Sequence, residues 1–395
     1  MKQIDHRKLG KKLGIFHISE KVGIGLPLWL PKGAIIRKLL MDYLENEQRV
    51  AGYDFVATPH LGRLELYKKS GHWDTYRKNM YQPIEIDKEK YILKPMNCPH
   101  HIAIYESSVR SYRDLPFRLA EYGTVYRYEQ TGELMGLTRT RGFTIDDAHI
   151  FLAEDELESE LKNVLLLTKK VFAKFDFYDF KVRVGLRGES EKYVGSDESW
   201  SKAEKAIKNV MQKSDLKFTE EKSEAAFYGP KLDFLVKDNL GREWQLGTIQ
   251  VDYNLPERFD LKYTASDGKK QRPVMIHRAP FGSLERFIAI LLEHFQGKLP
   301  VWLAPVQIAI IPVSEKFESD TKKLANELKP ARVVVMNENN TVGKRVLNAK
   351  KQMIPYILVY GEKEKISGKF SLAGDKEMKN LTAKQIVEIM IKIIK

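Results

Sequence analysis

The 395-residue sequence contains a single cysteine, Cys98, and has no long apolar run. One cysteine excludes an internal disulfide and is typical of a protein that works in a reducing, intracellular compartment. No stretch approaches the ~18 uninterrupted apolar residues that a membrane-spanning helix needs. The basic N-terminal segment also lacks the apolar core of a signal peptide. We therefore expect a cytoplasmic protein that does not enter a membrane.

The sequence also has no internal repeats and no low-complexity tract. Its apolar content of 43% and charged content of 30% are those of a globular protein, and its length predicts two or three domains. The net charge is +13, from 66 basic and 53 acidic residues. This charge fits a lysine-rich proteome, and it equally fits a polyanionic partner such as nucleic acid.

Apolar periodicity before residue 296 predicts antiparallel strands with helices on one side, an α+β domain. A helix is predicted from Ala34 to a stop by Gly52, after a turn at Pro31–Gly33. The other predicted helices are Leu64–Trp73, Glu154–Phe175, Ser196–Lys213 and Phe281–His294. The predicted strands are Tyr53–Thr58, Tyr91–Lys94, Leu119–Tyr128, Lys181–Leu186, Ala225–Val236, Arg242–Tyr253 and Arg272–Ala279, with a turn at Asp238–Gly241.

The composition shifts at residues 296–305, and strands and helices alternate after it. The predicted strands are Val306–Pro312, Arg332–Met336 and Tyr356–Tyr360. The predicted helices are Phe317–Leu328, Val342–Lys351 and Thr382–Ile394. Alternation of this kind predicts a small α/β domain with a largely parallel sheet. We therefore expect one domain at residues 1–298 and a second at residues 299–395.

The segment Arg127–His149 predicts a hairpin suited to an anionic ligand. Its loop carries two glycines and two arginines, and its second strand begins at Phe143. Glycines let backbone approach a ligand closely, and arginines bind phosphates through forked hydrogen bonds. The residues alone predict a phosphate ligand without saying which one.

Several motifs in the chain resemble those of the class II aminoacyl-tRNA synthetases and, among these, the threonyl enzymes. The segments GLPLWLPKGAIIRKLL, FRLAEYGTVYRYEQ with TRTRGFTIDDAH, and HRAPFGSLERF are similar to motifs 1, 2 and 3 of the class. KPMNCPHH, SGHWDTY, FYGPKLDF and WQLGTIQVDY are typical of threonyl enzymes. The resemblance spans about residues 5–395. It implies an antiparallel-sheet catalytic domain, an α/β anticodon-binding domain and a homodimer joined around motif 1.

The resemblance implies an ATP site with Mg²⁺ at the phosphates. Arg127 would bridge the amino-acid carboxylate and the α-phosphate, where a guanidinium stabilises developing charge. Glu129 would bind the adenine amino group, and Phe143 would stack on the ring. The full implied ATP set is Arg127, Glu129, Arg139, Phe143, Gln245 and Arg286. Arg127 and Arg286 are the implied catalytic arginines.

Cys98, His149 and His277 are candidate metal ligands. Their separations match no local metal motif, and a lone cysteine or histidine is more often an ordinary buried residue. The resemblance instead implies one zinc ion per subunit held by these three side chains. Three ligands leave coordination open, and in the family threonine fills it through its amino group and hydroxyl. A hydroxyl-requiring metal rejects valine, whereas serine is excluded poorly.

The resemblance also implies a threonine site made of Asp147, Tyr228 and Gln250. It implies that His72 assists transfer near the terminal ribose of tRNA, since a base with an ordinary pKa near neutrality suits that task. Ile145 departs from the family pattern, because many members carry glutamine there. We expect one polar contact of the pocket to be absent as a result.

The expected function is threonine–tRNA ligase, acting on L-threonine, ATP and tRNA(Thr). Two alternatives are another class II synthetase, for proline, serine or glycine, and a catalytically inactive RNA-binding paralogue. The sequence begins where the family's catalytic domain begins, so we expect a form without the N-terminal editing region. If that form is the natural one, mischarged serine must be tolerated or corrected by a separate editing protein. An arginine-rich run common in bacterial relatives is absent after Lys369, so anticodon reading is expected to be altered.

Overall fold

The computed structural model describes residues 4–190, 193–237, 241–375 and 378–394. It forms two compact units. The smaller unit takes the described parts of Met1–His17, Leu28–Leu40 and Leu291–Lys395, and the larger takes Ile18–Pro27 and Met41–Ile290. Within the described residues, no helix has both the length and the apolar character needed to cross a membrane.

The described residues contain thirteen α-helices, whose bounds follow in chain order. They are α1 His6–Leu13, α2 Pro31–Val50, α3 Leu64–Lys69, α4 His72–Thr75, α5 Cys98–Glu106, α6 Leu157–Ala173, α7 Asp197–Gln212, α8 Asn254–Arg258, α9 Leu284–His294, α10 Glu318–Glu327, α11 Val342–Lys351, α12 Glu362–Ser367 and α13 Ala383–Ile394.

The strands of the described residues, also in chain order, number nineteen. They are β1 Phe16–His17, β2 Leu28–Trp29, β3 Asp54–Phe55, β4 Leu61–Arg63, β5 Ile84–Ile86, β6 Glu89–Leu93, β7 Phe117–Tyr126, β8 Gly142–Leu152, β9 Phe180–Leu186, β10 Phe218–Lys222, β11 Lys231–Lys237, β12 Glu243–Asp252, β13 Tyr263–Thr264, β14 Lys270–Gln271, β15 Val274–Ala279, β16 Ile308–Pro312, β17 Val333–Val335, β18 Tyr356–Tyr360 and β19 Leu372–Ala373.

An eight-stranded sheet organises the larger unit, in the order β10-β9-β11-β12-β15-β8-β7-β3. All neighbours pair antiparallel except the two edge strands β10 and β3, which pair parallel with β9 and β7. The expected antiparallel catalytic sheet is therefore confirmed. Strands β12, β15, β8 and β7 lie side by side at its centre and carry most of the site.

Strand β8 has two faces with different tasks. Side chains alternate along a strand, so Phe143, Ile145, Asp147 and His149 share one face. On the other face, the carboxylate of Asp146 accepts a hydrogen bond of 2.8 Å from the backbone N–H of residue 281, just before α9. One face of the strand therefore presents functional groups, while the other anchors the segment that leads into α9.

The smaller unit contains a four-stranded sheet in the order β17-β16-β18-β19. The first three strands pair parallel, and β19 pairs antiparallel with β18. The predicted α/β architecture with a largely parallel sheet is confirmed. The short elements α12 and β19 were not predicted, because each contributes too few residues for a periodic pattern.

Three local predictions were wrong in detail. Pro31–Gly33 is the first turn of α2 rather than a separate turn, since proline fits the start of a helix. The predicted helix Leu64–Trp73 is broken by Gly71, whose φ is 81°. Strand β10 was missed because its burial pattern is mostly exposed, as suits an edge strand. The predicted turn Asp238–Gly241 lies mostly outside the described residues.

Candidate functional site

A cleft of about 520 Å³ opens on the functional face of the large sheet. The loop after β7, strands β8 and β12, and the start of α9 all contribute to its walls. Every residue that the sequence predicted for ATP lines this one cleft: Arg127, Glu129, Arg139, Phe143, Gln245 and Arg286. Residues as far as 159 positions apart in the chain are thus brought to a single concave surface.

The arginines make the cleft electropositive. The Arg127 guanidinium lies 5.0 Å from the ring centre of Phe143 and 5.6 Å from that of Tyr76. Arg286 donates from Nε to the carbonyl of Thr138 at 3.1 Å and from Nη1 to that of Gln245 at 3.3 Å. Burial and the neighbouring arginines lower the pKa of Arg286. Positive charge held close together in a cleft favours an anionic ligand such as a triphosphate.

Glu129 and Arg139 pair with each other across the loop. The Arg139 Nε lies 2.8 Å from Glu129 Oε2, and the glutamate is buried while the arginine is half exposed. The sequence assigned these residues to the adenine amino group and to a phosphate. This ion pair occupies one oxygen of Glu129, Oε2, at the edge of the cleft.

A β-bulge sets which side chains of β12 face the cleft. The pairing with β11 shifts between Asp233–Thr248 and Leu235–Gln245, so β12 carries one extra residue. A bulge reverses the alternation of faces, which places Gln245 on the same side as Thr248. Both donate to the fully buried carboxylate of Asp233, over 2.7 and 3.4 Å. Thr248 and Asp233 were not predicted, because the bulge is invisible in the alternation pattern.

Cys98, His149 and His277 come together beneath the cleft. Their ligand atoms all lie within 4.8 Å of one another, and all three residues are buried. His149 and His277 are direct partners in the β8–β15 pairing, and Cys98 begins α5. Burial lowers the pKa of His149, so its imidazole is neutral as a metal requires. Burial raises the pKa of the Cys98 thiol, so a metal must displace its proton.

The surroundings of this cluster fit a metal. The His277 Nε2 lies 2.9 Å from Asp252 Oδ2, and the other oxygen of that carboxylate accepts from the backbone N–H groups of residues 254 and 255. A carboxylate at Nε2 holds the proton there and leaves Nδ1 free, the arrangement that metal-binding histidines use. One sulfur and two nitrogens suit zinc and leave a coordination position open.

The predicted threonine residues lie between the cluster and the cleft. The Tyr228 ring stacks on His277 with centroids 4.8 Å apart, and its hydroxyl donates to Gln250 Oε1. Gln250 lines the cleft and donates to Thr248 at 3.2 Å. Asp147 accepts from Asn97 at 3.0 Å, and burial raises its pKa. Hydrogen bonds therefore run from Tyr228, which stacks on His277, through Gln250 to Thr248 on the cleft wall.

His72 lies against the metal cluster rather than on the cleft wall. Its Nδ1 is 2.7 Å from Ser70 Oγ, and its Nε2 is 3.1 Å from Met96 Sδ and 3.6 Å from Cys98 Sγ. The residue is fully buried, and burial lowers its pKa to about 3. The imidazole is thus neutral at pH 7 and can accept a proton only weakly.

Ile145 stands between the two halves of the site. It lies on β8 between Phe143 and Asp147 and lines the cleft. Its neighbour across the cleft wall is Ser283, with which it forms an isolated backbone bridge. An apolar side chain here offers no hydrogen bond to a ligand that spans both halves.

The neighbouring histidine His100 predicts a measurable pH effect. It is 8% exposed, and burial lowers its pKa to about 4. Between pH 6.5 and 4 the unfolded chain binds this proton and the folded chain does not, so acidification destabilises the protein. The loss is about 1.4 kcal/mol per pH unit and reaches about 3 kcal/mol at pH 4.

We therefore expect the free energy of unfolding of His100→Phe to decrease less steeply on acidification than that of wild type. The difference in slope should correspond to about one proton bound on unfolding. Denaturant midpoints of wild type and variant at pH 7 and pH 5 give the measurement. Parallel midpoints at the two pH values would contradict the burial of a neutral His100.

Two protein-family profiles match the chain. The family described as "tRNA synthetase class II core domain (G, H, P, S and T)" matches residues 81–295. The family described as "Anticodon binding domain" matches residues 307–392. The first match contains Cys98, the whole of the basic hairpin and the HRAPFGSLERF segment.

The similar proteins are threonine–tRNA ligases. The Thermus thermophilus protein is 54% identical over 383 residues, which are 95% of this chain and 58% of the relative. The Deinococcus radiodurans protein is 52% identical over 388 residues, 96% of this chain and 60% of the relative. The chain therefore spans about three fifths of the length of these curated relatives. A crystal structure titled as the RNA binding domain of threonyl-tRNA synthetase from Cryptosporidium parvum superposes with a TM-score of 0.93 at 36% identity, covering 99% of this chain and 98% of that one.

Proposed function

Because the chain belongs to the class II tRNA synthetases, in the threonyl-tRNA synthetase family, we propose that it is a threonine–tRNA ligase. It activates L-threonine with ATP to threonyl-adenylate and transfers the threonyl group to the 3′ end of tRNA(Thr). The proposal rests on one observation, the proximity of a candidate metal site to a candidate nucleotide site. A buried thiol–diimidazole cluster lies beside a cleft lined by three arginines and an aromatic ring.

In the activation step, a threonine carboxylate oxygen attacks the α-phosphorus of ATP, the bond to the bridging oxygen breaks, and pyrophosphate leaves. Arg127 lies between the cluster side and the cleft, where it can hold the attacking carboxylate and the α-phosphate together. Its fixed positive charge stabilises the charge that builds on the phosphoryl oxygens. Arg286 and Arg139 bind the outer phosphates with Mg²⁺, and Phe143 and Glu129 bind adenine.

Cys98, His149 and His277 hold one zinc ion per subunit in this proposal. When bound, zinc supplies a Lewis-acid position that selects a ligand bearing both an amino group and a hydroxyl. Asp147, Tyr228 and Gln250 orient that ligand through hydrogen bonds. The buried Asp147 carboxylate has a raised pKa, so it can take up the hydroxyl proton more readily than an exposed aspartate.

The proposed domains meet at the change in composition within residues 296–305. Residues 1–298 form the catalytic domain and residues 299–395 the anticodon-binding domain, whose tRNA partner fits the net charge of +13. The enzyme works in the cytoplasm as a homodimer built around motif 1, which begins at Gly25. The preceding residues Val22 and Ile24 expose apolar side chains to 48% and 45%. His72 assists transfer in this proposal without serving as a base, since its buried imidazole accepts a proton only weakly.

Selectivity gives the test of this function. Amino-acid-dependent exchange of pyrophosphate into ATP should be fastest with threonine. Serine lacks only a methyl group, so its kcat/KM should be lower by about 10- to 200-fold. Valine lacks the hydroxyl, so it should be lower by about 10⁴-fold.

Other outcomes identify the alternatives. Fastest exchange with proline, serine or glycine would indicate a sister class II synthetase. Absence of exchange with every amino acid would indicate an inactive RNA-binding paralogue. Valine activation that matches serine activation would contradict selection through the hydroxyl.

A further inference from the structure

His101 and Glu121 form a hydrogen-bonded line that ends on His149. The Nδ1 atoms of His149 and His101 are 2.7 Å apart, and His101 Nε2 is 3.1 Å from Glu121 Oε2. The two rings meet edge to face with centroids 4.6 Å apart. His101 is fully buried and Glu121 is 5% exposed, so water does not compete for these contacts.

The Glu121 carboxylate at one end of this line determines which ring nitrogen of His101 carries a proton. The carboxylate of Glu121 also accepts from the backbone N–H and the hydroxyl of Thr58 and faces the ammonium of Lys94 at 3.7 Å. Burial opposes its ionisation, but the hydrogen bond from His101 and the charge of Lys94 hold its pKa below the ordinary value. An ionised carboxylate only accepts, so His101 carries a proton on Nε2.

The remaining proton lies between the two imidazoles. A histidine whose single ring proton is on Nε2 has a bare Nδ1 that can only accept. His149 must therefore donate from Nδ1, and its Nε2 is left with a free lone pair. That atom points toward the metal-binding side, since it lies 3.8 Å from Asp147 Oδ1.

We propose that Glu121 and His101 act as a relay that holds His149 in the tautomer required for metal binding. The proposal rests on the proposed function, in which His149 is a zinc ligand. The tautomer of His277 is held by one carboxylate, that of Asp252, which contacts the ring directly. At His149 the imidazole of His101 lies between the ring and the carboxylate of Glu121. His101 and Glu121 are positioning residues, because they act on the metal only through His149.

The test measures zinc affinity by competition with a chromophoric chelator. His101→Phe removes the acceptor while keeping a ring, so the His149 proton can move to Nε2 beside Asp147. We expect zinc affinity to fall by about 10- to 100-fold, the usual effect of losing such a partner. His101→Gln can still accept through its amide oxygen and should lose less.

His100→Phe is the matched control. His100 precedes His101 on the same helix, is also buried, and its Nδ1 has no partner among the described residues. Its substitution should leave zinc affinity within about twofold of wild type, the scatter expected for a site outside the network. Circular dichroism and the thermal midpoint show that each variant is folded. An equal loss in both phenylalanine variants would overturn the relay, because it would indicate general helix disruption.

A second measurement needs no substitution. Long-range ¹H–¹⁵N spectra of histidine-labelled, metal-depleted wild type report which ring nitrogen of His149 carries the proton. We expect Nδ1, and a proton on Nε2 would overturn the proposal. Wild type that binds no zinc would overturn both the metal site and the relay. Zinc binding unchanged in His101→Phe, with exchange activity intact, would overturn the relay alone.

Discussion

Arg127→Ala should lower threonine-dependent pyrophosphate exchange by about 10³-fold, mostly through kcat. In the proposed activation step the guanidinium stabilises the charge that develops during attack on the α-phosphate, and loss of one such group costs about 10²- to 10⁵-fold in comparable enzymes. Among the described residues, the side chain makes one long hydrogen bond, 3.4 Å to the carbonyl of Pro95, and weak contacts with the rings of Tyr76 and Phe143. The folded state therefore loses little, and thermal unfolding should be almost unchanged.

Two arginines provide the comparison. Arg139→Ala removes the proposed outer phosphate contact and also releases Glu129. We expect exchange activity to fall about tenfold, which corresponds to the loss of one hydrogen bond to a charged group. Arg113 is exposed, lies outside the cleft and hydrogen-bonds the neighbouring Tyr112 hydroxyl, so Arg113→Ala should retain full activity. If Arg127→Ala were no worse than Arg113→Ala, the assigned role of Arg127 would be wrong.

Cys98→Ser should release most of the zinc and lower threonine activation by at least about 10³-fold. The substitution is nearly isosteric, but a serine hydroxyl is a far poorer zinc ligand than a thiolate. Two imidazoles alone hold zinc weakly, and the discrimination that the hydroxyl of threonine provides is lost with the ion. Atomic absorption on the purified variant and the exchange assay give the two readouts.

The same substitution also separates metal binding from folding. Cys98 packs with Ile102, Tyr105 and Leu119 in one buried cluster, and serine occupies nearly the same volume. The variant should therefore keep the secondary structure and the oligomeric state of wild type. Normal threonine activation by a zinc-free Cys98→Ser protein would contradict the account of the cluster.

The sequence predicted which residues lie together in the site better than it predicted how they are arranged there. Motif resemblance placed Cys98, His149 and His277 in one group although 51 and 128 residues separate them, and the structure brings their ligand atoms within 4.8 Å. The β8–β15 pairing of the two histidines follows from strand order. Strand order depends on contacts between distant segments and cannot be obtained from local periodicity.

The groups around the ligands were not predicted. The sequence analysis assigned no role beside the metal ligands to His101, Glu121 or Asp252. A signal was available, since His101 lies three residues after Cys98 and so shares its face of α5. Glu121 pairs with Asp147 in the β7–β8 hairpin, but that register depends on the length and shape of the loop. Hydrogen bonds of this kind become visible only when both strands and the helix have been placed.

The pairing of Glu129 with Arg139 was also beyond the sequence. The motif assigns each residue to a different part of ATP, and the structure joins them by an ion pair of 2.8 Å. A short polar loop with charges of both signs can form several such pairs. Which one forms depends on the loop conformation, which the 3₁₀ turn at Thr131–Glu133 and the contacts of Arg141 determine.

Zinc titration of the metal-depleted protein tests whether threonine activation depends on zinc bound at Cys98, His149 and His277. Threonine-dependent pyrophosphate exchange is measured on the same sample after each addition of zinc. We expect almost no exchange without zinc, a linear rise in the exchange rate as zinc is added, and a plateau at one zinc ion per chain. Full exchange in the metal-depleted protein, or a plateau unrelated to the zinc bound at Cys98, His149 and His277, would contradict it.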